Sequence, residues 1–169
     1  MTGCDSSSPA KRKVGRNRST KQKRRQPEHD AQVALFERVA RHIDLIPDLS
    51  MMFAIPNGGY RHKATAVKMK AEGVRAGVPD ICLPVPNKRH HGLFIEMKSK
   101  VGRASPDQKS WMQGLRDRGY LCAICRSEDD AWEVLIEYLS NRHQQHEDDK
   151  PWAELVEYCS KHRQKYTDQ

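Results

Sequence analysis

Val78-Pro79-Asp80-Ile81-Cys82-Leu83 and, after a short gap, Gly92-Leu93-Phe94-Ile95-Glu96-Met97-Lys98 decide how this chain is read. Both runs are short and apolar, as buried strands are. Glu96 and Lys98 lie two apart, so on a strand they project from one face. Asp80 stands at the head of the neighbouring run. Two adjacent strands can therefore bring two carboxylates and an amine to one point. Charged residues seldom lie inside an apolar strand without a partner or a metal.

The pattern on either side alternates helices with strands. Val33, Phe36, Val39, Ala40 and Ile43 recur at helical spacing from Glu28 onward, and Pro47 ends the run. Residues 51–55 read as a short strand, Asn57-Gly58-Gly59 as a turn, and 64–72 as a short helix stopped by Gly73. Strands are expected at about 80–85 and 92–99, with Pro84 keeping the first one short. Ser105-Pro106 is an N-cap with proline at the first helical position, opening a helix to about Arg118. Gly119 ends it, residues 120–126 form a strand, and Ser127-Glu128-Asp129-Asp130 cap a helix to about Ser140. Residues 141–149 read as a polar linker, and Trp152, Leu155, Val156 and Cys159 as a last amphipathic helix. The expected fold class is α/β, with a mixed central sheet flanked by helices and an extra C-terminal helix.

Charge is unevenly distributed. Residues 1–26 carry nine Lys/Arg against one acid, which accounts for the whole net charge of +8. With almost no large apolar residue they cannot offset chain entropy by burial, so a disordered basic N-terminal arm is expected. Such an arm suits sequence-blind nucleic-acid binding, a solubilising tail or a nuclear localisation signal. Residues 57–126 hold 14 bases and 5 acids, while 127–169 hold 5 bases and 11 acids. The stretch bearing Asp80 and Glu96 is thus basic, as a phosphate-backbone partner favours. Mean hydropathy is −0.87, and no apolar run approaches the roughly 18 residues of a membrane span. The five cysteines lack the spacing of a disulfide framework, so reduced thiols and a cytoplasmic setting are expected, nuclear only in a eukaryote. No phosphate-loop glycine motif indicates a nucleotide cofactor. Cys122 and Cys125 with His143 and His146 imitate a zinc pattern. Positions i and i+3 of a strand point to opposite faces, however, and the histidine spacing is too short.

Two acids and an amine at a strand end suit metal-assisted phosphodiester hydrolysis. The carboxylates hold a hard cation through oxygen, the cation offsets the charge of the phosphate, and the lysine orients or polarises water. Asn57, Arg61, Lys63, Lys70, Arg75 and Arg103 flank the acid pair and are candidate phosphate contacts, or else solvated surface.

Four ordered blocks between about residues 28 and 138 carry a family resemblance: Pro56-Asn57-Gly58-Gly59, Lys70 to Asp80, Gly92 to Lys98, and Ser105-Pro106-Asp107-Gln108 with Trp111. They resemble the VRR-NUC (virus-type replication-repair nuclease) branch of the PD-(D/E)xK nuclease superfamily. The resemblance implies a restriction-endonuclease-like core over residues 27–140, with 141–169 as linker and C-terminal helix. It implies a Mg²⁺- or Mn²⁺-dependent DNA endonuclease. Asp80, Glu96 and the main-chain carbonyl of Met97 would be metal ligands, and Lys98 the residue that positions water. It adds Glu28 as an acid reaching the metal, where an ordinary first-turn acid favoured by the helix dipole is the plain alternative. It adds Gln108 beside the catalytic lysine, where a capping-box role is the plain alternative. The implied substrate is branched DNA such as a Holliday junction, cut by a homodimer for which the Trp152 helix is a candidate interface. Restriction-like or flap-cleaving nucleases, and a non-catalytic DNA-binding protein, are the rival expectations.

Overall fold

The computed structural model describes residues 26–56 and 63–143. Helix α1 (Pro27–His42) leads through a 3-10 turn (Pro47–Met51) to the two-residue strand β1 (Phe53–Ala54). Helix α2 (Lys63–Ala71), strands β2 (Ile81–Leu83) and β3 (Leu93–Met97), helix α3 (Pro106–Arg116), strand β4 (Leu121–Cys125) and helix α4 (Glu128–His143) follow. The sheet runs β1-β2-β3-β4. β1–β2 and β2–β3 are antiparallel and β3–β4 is parallel. The parallel pair needs a crossover, and α3 supplies it.

β3 is central, and its alternation sorts the two faces. Leu93, Ile95 and Met97 are at most 1% exposed and join one core with Leu35 and Val39 of α1 and Trp132, Leu135, Ile136 and Leu139 of α4. Phe94 and Glu96 point the other way, toward α3. α1 and α4 are tied by Arg38, whose Nη1 donates to Glu128 Oε1 at 2.8 Å and to Asp129 Oδ1 at 3.1 Å. The same guanidinium lies 4.5 Å from the centre of the Trp132 ring. Tyr138 on α4 donates its hydroxyl to Val85 O at 2.6 Å, and Asn87 Nδ2 donates to Tyr138 O, so the β2–β3 loop is held against the same helix.

The element order matches the expectation, and the differences are local. Pro47 starts a 3-10 turn instead of only ending α1. The buried stripe of α1 is Leu35 and Val39, whereas Val33 is 43% exposed and Ala40 is exposed. Phe36 and Ile43 are half-buried and pack against this core, while Val33 and Ala40 lie on the exposed side of the helix. α4 continues through His143, into the stretch expected to be linker. The expected arm at 1–26, all but its last residue, and the helix around Trp152 lie outside the described residues. Of the zinc look-alike, Cys122 and Cys125 are both buried, and His146 lies outside the described residues.

Candidate active site at the carboxyl end of strand β3

Ile81 pairs with Ile95 in the antiparallel β2–β3 register, so the next position along each strand sets Asp80 opposite Glu96. Asp80 is locked there from both sides. Its carbonyl accepts from Ile55 N at 2.7 Å, and its Oδ2 accepts from Met97 N at 2.9 Å. Gly77, three residues earlier, has φ +85°. A Cβ built there would lie 2.7 Å from the main-chain carbon of Asp107. The segment leading to Asp80 therefore presses on the first turn of α3, and only glycine permits both the angle and the approach.

Glu96 is the one fully buried charged side chain among the described residues. Its Oε1 accepts from Lys98 Nζ at 2.5 Å and from Gln108 Nε2. Lys98 Nζ also approaches Met97 O at 3.3 Å. The other oxygen, Oε2, is buried with no hydrogen-bond partner among the described residues. Burial, and after it the charge of Asp80 against the opposing pull of Lys98, pushes the Glu96 carboxyl up to about 7. A buried carboxylate oxygen without a donor, beside a second carboxylate, asks for a proton or a cation between them. Two carboxylates and the Met97 carbonyl form an all-oxygen donor set, which fits a hard divalent cation.

Gln108 forms the capping box and also reaches Glu96. Its Oε1 accepts from Ser105 N at 2.8 Å while its own N–H donates to Ser105 Oγ at 3.2 Å, a complete capping box. The amide nitrogen remains free to donate to Glu96. The cap that starts α3 thus also orients the buried carboxylate.

The structure does not bring Glu28 to the carboxylate pair. Its Oε1 accepts from Ser99 N at 2.8 Å, one residue past Lys98. Among the described residues no group of three or more His, Cys, Asp or Glu side chains is placed to hold a metal. The acid opening α1 fixes the chain leaving β3. Arg126 holds the same turn from the other side, its Nη1 donating to the carbonyls of Ser99, Lys100 and Gly102 at 2.9, 3.2 and 2.9 Å. Sequence reasoning missed Arg126, because a lone arginine after a strand carries no motif. Lys98 N donates to Cys125 O at 2.8 Å, carrying the β3–β4 pairing to the carboxyl end of β3. Lys70, Arg75 and Arg103 are exposed, the first at the end of α2, the second in the segment before β2 and the third before α3. Asn57, Arg61 and the side chain of Lys63 lie outside the described residues.

If the carboxylate pair takes a divalent cation such as Mg²⁺, uptake should be coupled to Glu96. A ligand carboxylate must be ionised, and without metal burial and the facing Asp80 hold this one up at about 7. Below that pH each Mg²⁺ bound should release close to one proton, and affinity should fall about tenfold per pH unit. Well above it, proton release should vanish. A carboxyl raised in the folded state favours folding while protonated. The metal-free protein should therefore lose that contribution as pH rises through about 7, and bound metal should stabilise the protein more at pH 8 than at pH 6. Calorimetric titration of Mg²⁺ in two buffers of different ionisation enthalpy measures the proton count. A count of zero at pH 6 would contradict the buried, Asp80-facing Glu96.

Residues 54–129 match the VRR-NUC domain family. A solved structure described as a VRR-NUC domain protein superposes with a TM-score of 0.59 and 25% identity, covering 70% of this chain and 92% of the other. No significant match to a curated protein was found. The family match spans β1 through the first residues of α4, and so contains Asp80, Glu96, Met97, Lys98 and Gln108.

Proposed function

This chain carries a VRR-NUC nuclease domain, and from that premise we propose that it is a Mg²⁺- or Mn²⁺-dependent endonuclease acting on branched DNA. The observation that carries the metal-dependent reading is the buried, unpartnered Oε2 of Glu96 facing Asp80. Ionised, that oxygen lies buried without a donor at a cost of about 1–3 kcal/mol or more, and a cation shared with Asp80 offsets that cost above the pH at which a shared proton does.

Asp80, Glu96 and the Met97 carbonyl would hold the cation. When bound, it offsets charge on the reacting phosphate and lowers the pKa of water. Lys98 brings a positive charge, 11% exposed, to the same point. There it orients water for in-line attack and stabilises the negative charge that develops on the phosphate oxygens. Gln108 and Lys98 together fix one Glu96 oxygen, leaving the other free for ligation. The basic stretch 57–126, with Lys70, Arg75 and Arg103 at the surface, would hold the DNA backbone without reading sequence. Branched substrates and a homodimer belong to the same proposal, since a two-fold junction requires two symmetric cuts.

The test is cleavage of labelled duplex, flap, fork and four-way junction DNA with Mg²⁺, with Mn²⁺ and with chelator. Cutting that needs metal and favours a branched form supports the reading. Metal-independent binding without cutting of any form would leave a DNA-binding protein. Lys98→Ala should slow cleavage about 10²- to 10³-fold, the cost of one preorganised charge, while Mg²⁺ affinity stays within a few-fold. Single-turnover rates and metal titration of the same variant separate the two effects.

A further inference from the structure

A recess of about 280 Å³ opens on the α3 side of the sheet, lined among others by Val74, Arg75, Val78, Phe94, Trp111 and Leu115. Its position follows from two short spacings. Phe94 precedes Glu96 by two residues on β3, so their side chains share a face about 6.6 Å apart. Trp111 follows Gln108 by three residues on α3, so it stands one turn from the side chain that grips Glu96. The recess therefore adjoins the carboxylate pair at about the span over which a sugar joins a phosphate to its base.

Its chemistry is that of a base pocket. The lining is mostly apolar, Trp111 leaves 38% of its surface in water, and the exposed guanidinium of Arg75 stands in the wall. The volume falls just under that of a pocket for a drug-sized ligand, enough for one flat ring system. An indole face and a guanidinium are the groups on which unstacked bases settle in single-strand-binding proteins. A cation in the wall also complements the phosphate that a nucleotide brings with it. A base inside a continuous duplex enters only at the cost of unpairing and unstacking, about a few kcal/mol that an already unpaired base does not incur.

We propose that this recess binds one unpaired nucleobase of the DNA, stacked on Trp111, next to the phosphate that a cation at Asp80 and Glu96 would hold. The proposal rests on the nuclease reading for the identity of that phosphate, and among branched forms it favours those with an unpaired nucleotide at the cut, flaps and forks, over the fully paired four-way junction.

The full chain with Ca²⁺ in place of Mg²⁺, a hard cation for the same oxygen ligands, and with the DNA checked to be intact afterwards, is titrated into a blunt duplex and into the same duplex with a short single-stranded flap carrying 2-aminopurine at its junction. Wild type should quench the 2-aminopurine and prefer the flap. Trp111→Ala should abolish the quench and weaken flap binding by about 5- to 150-fold, with duplex binding changed less than twofold. Trp111→Phe should keep most of both signals, which separates lost stacking from lost folding. No quench in wild type overturns the proposal, as does an equal effect of Trp111→Ala on both DNAs. If quenching follows Trp111 but no DNA is ever cut with Mg²⁺ or Mn²⁺, the base site stands and the nuclease reading fails. If cutting occurs without any quench, the reverse holds.

Discussion

Glu96→Ala and Asp80→Ala should each reduce plasmid nicking in Mg²⁺ by at least about a thousandfold, the result expected if each removes an oxygen ligand from a cation worth several kcal/mol to the reaction. The two losses have different structural side effects. Removing Glu96 takes away the acceptor for both Lys98 and Gln108. Removing Asp80 leaves Met97 N without its acceptor. Glu96→Gln and Asp80→Asn keep volume and an acceptor oxygen, and should be nearly as inactive while unfolding like wild type. DNA binding should persist in all four, because a negative charge near phosphate is lost. Substantial Mg²⁺-dependent nicking by Glu96→Gln would end the assignment.

Trp132→Ala should destabilise the domain by about 3–5 kcal/mol, the usual cost of emptying a large aromatic site in a core. Trp132 is 2% exposed, and its ring lies against the Arg38 guanidinium and 4.8 Å from the His42 ring. The loss is thus more than area: the pair that ties α1 to α4 loses its platform. Small domains have only about 5–15 kcal/mol in hand, so the variant sits near its unfolding limit. Urea unfolding measures the change, and Trp132→Phe should recover much of it. A loss under about 1 kcal/mol, the size of an ordinary surface change, would mean that α1 and α4 are not held together there.

The centre was legible in the sequence because its signal is local. Asp80 heads one apolar run, and Glu96 and Lys98 share a face of the next, so strand parity alone placed the last two together. The antiparallel register then aligned Asp80 with Glu96, as expected of neighbouring strands. Glu28 and Arg126 were not legible in this way. Their partners are main-chain atoms of the Ser99–Gly102 turn, and main-chain partners leave no trace in residue type. Leu35 was passed over for Val33 because periodicity gives the width of an apolar stripe but not its edge. α1 carries apolar residues on more than one flank, and only packing against α4 and β3 chooses between them.

Gln108 shows how one contact can narrow the choice of an amino acid. A capping box accepts glutamine or glutamate alike, since both offer an acceptor oxygen to the cap residue's N–H. Here the same side chain must also give a hydrogen to a buried carboxylate. Glutamate would keep the first bond and turn the second into repulsion between like charges. Serine or threonine would be too short to reach back to the cap and across to Glu96 at once. The amide cannot flip either, because exchanging its oxygen and nitrogen would set donor against donor at Ser105 and acceptor against acceptor at Glu96. A position that helix formation alone would leave open to two residues is thereby closed to one, and that one is held in a single orientation.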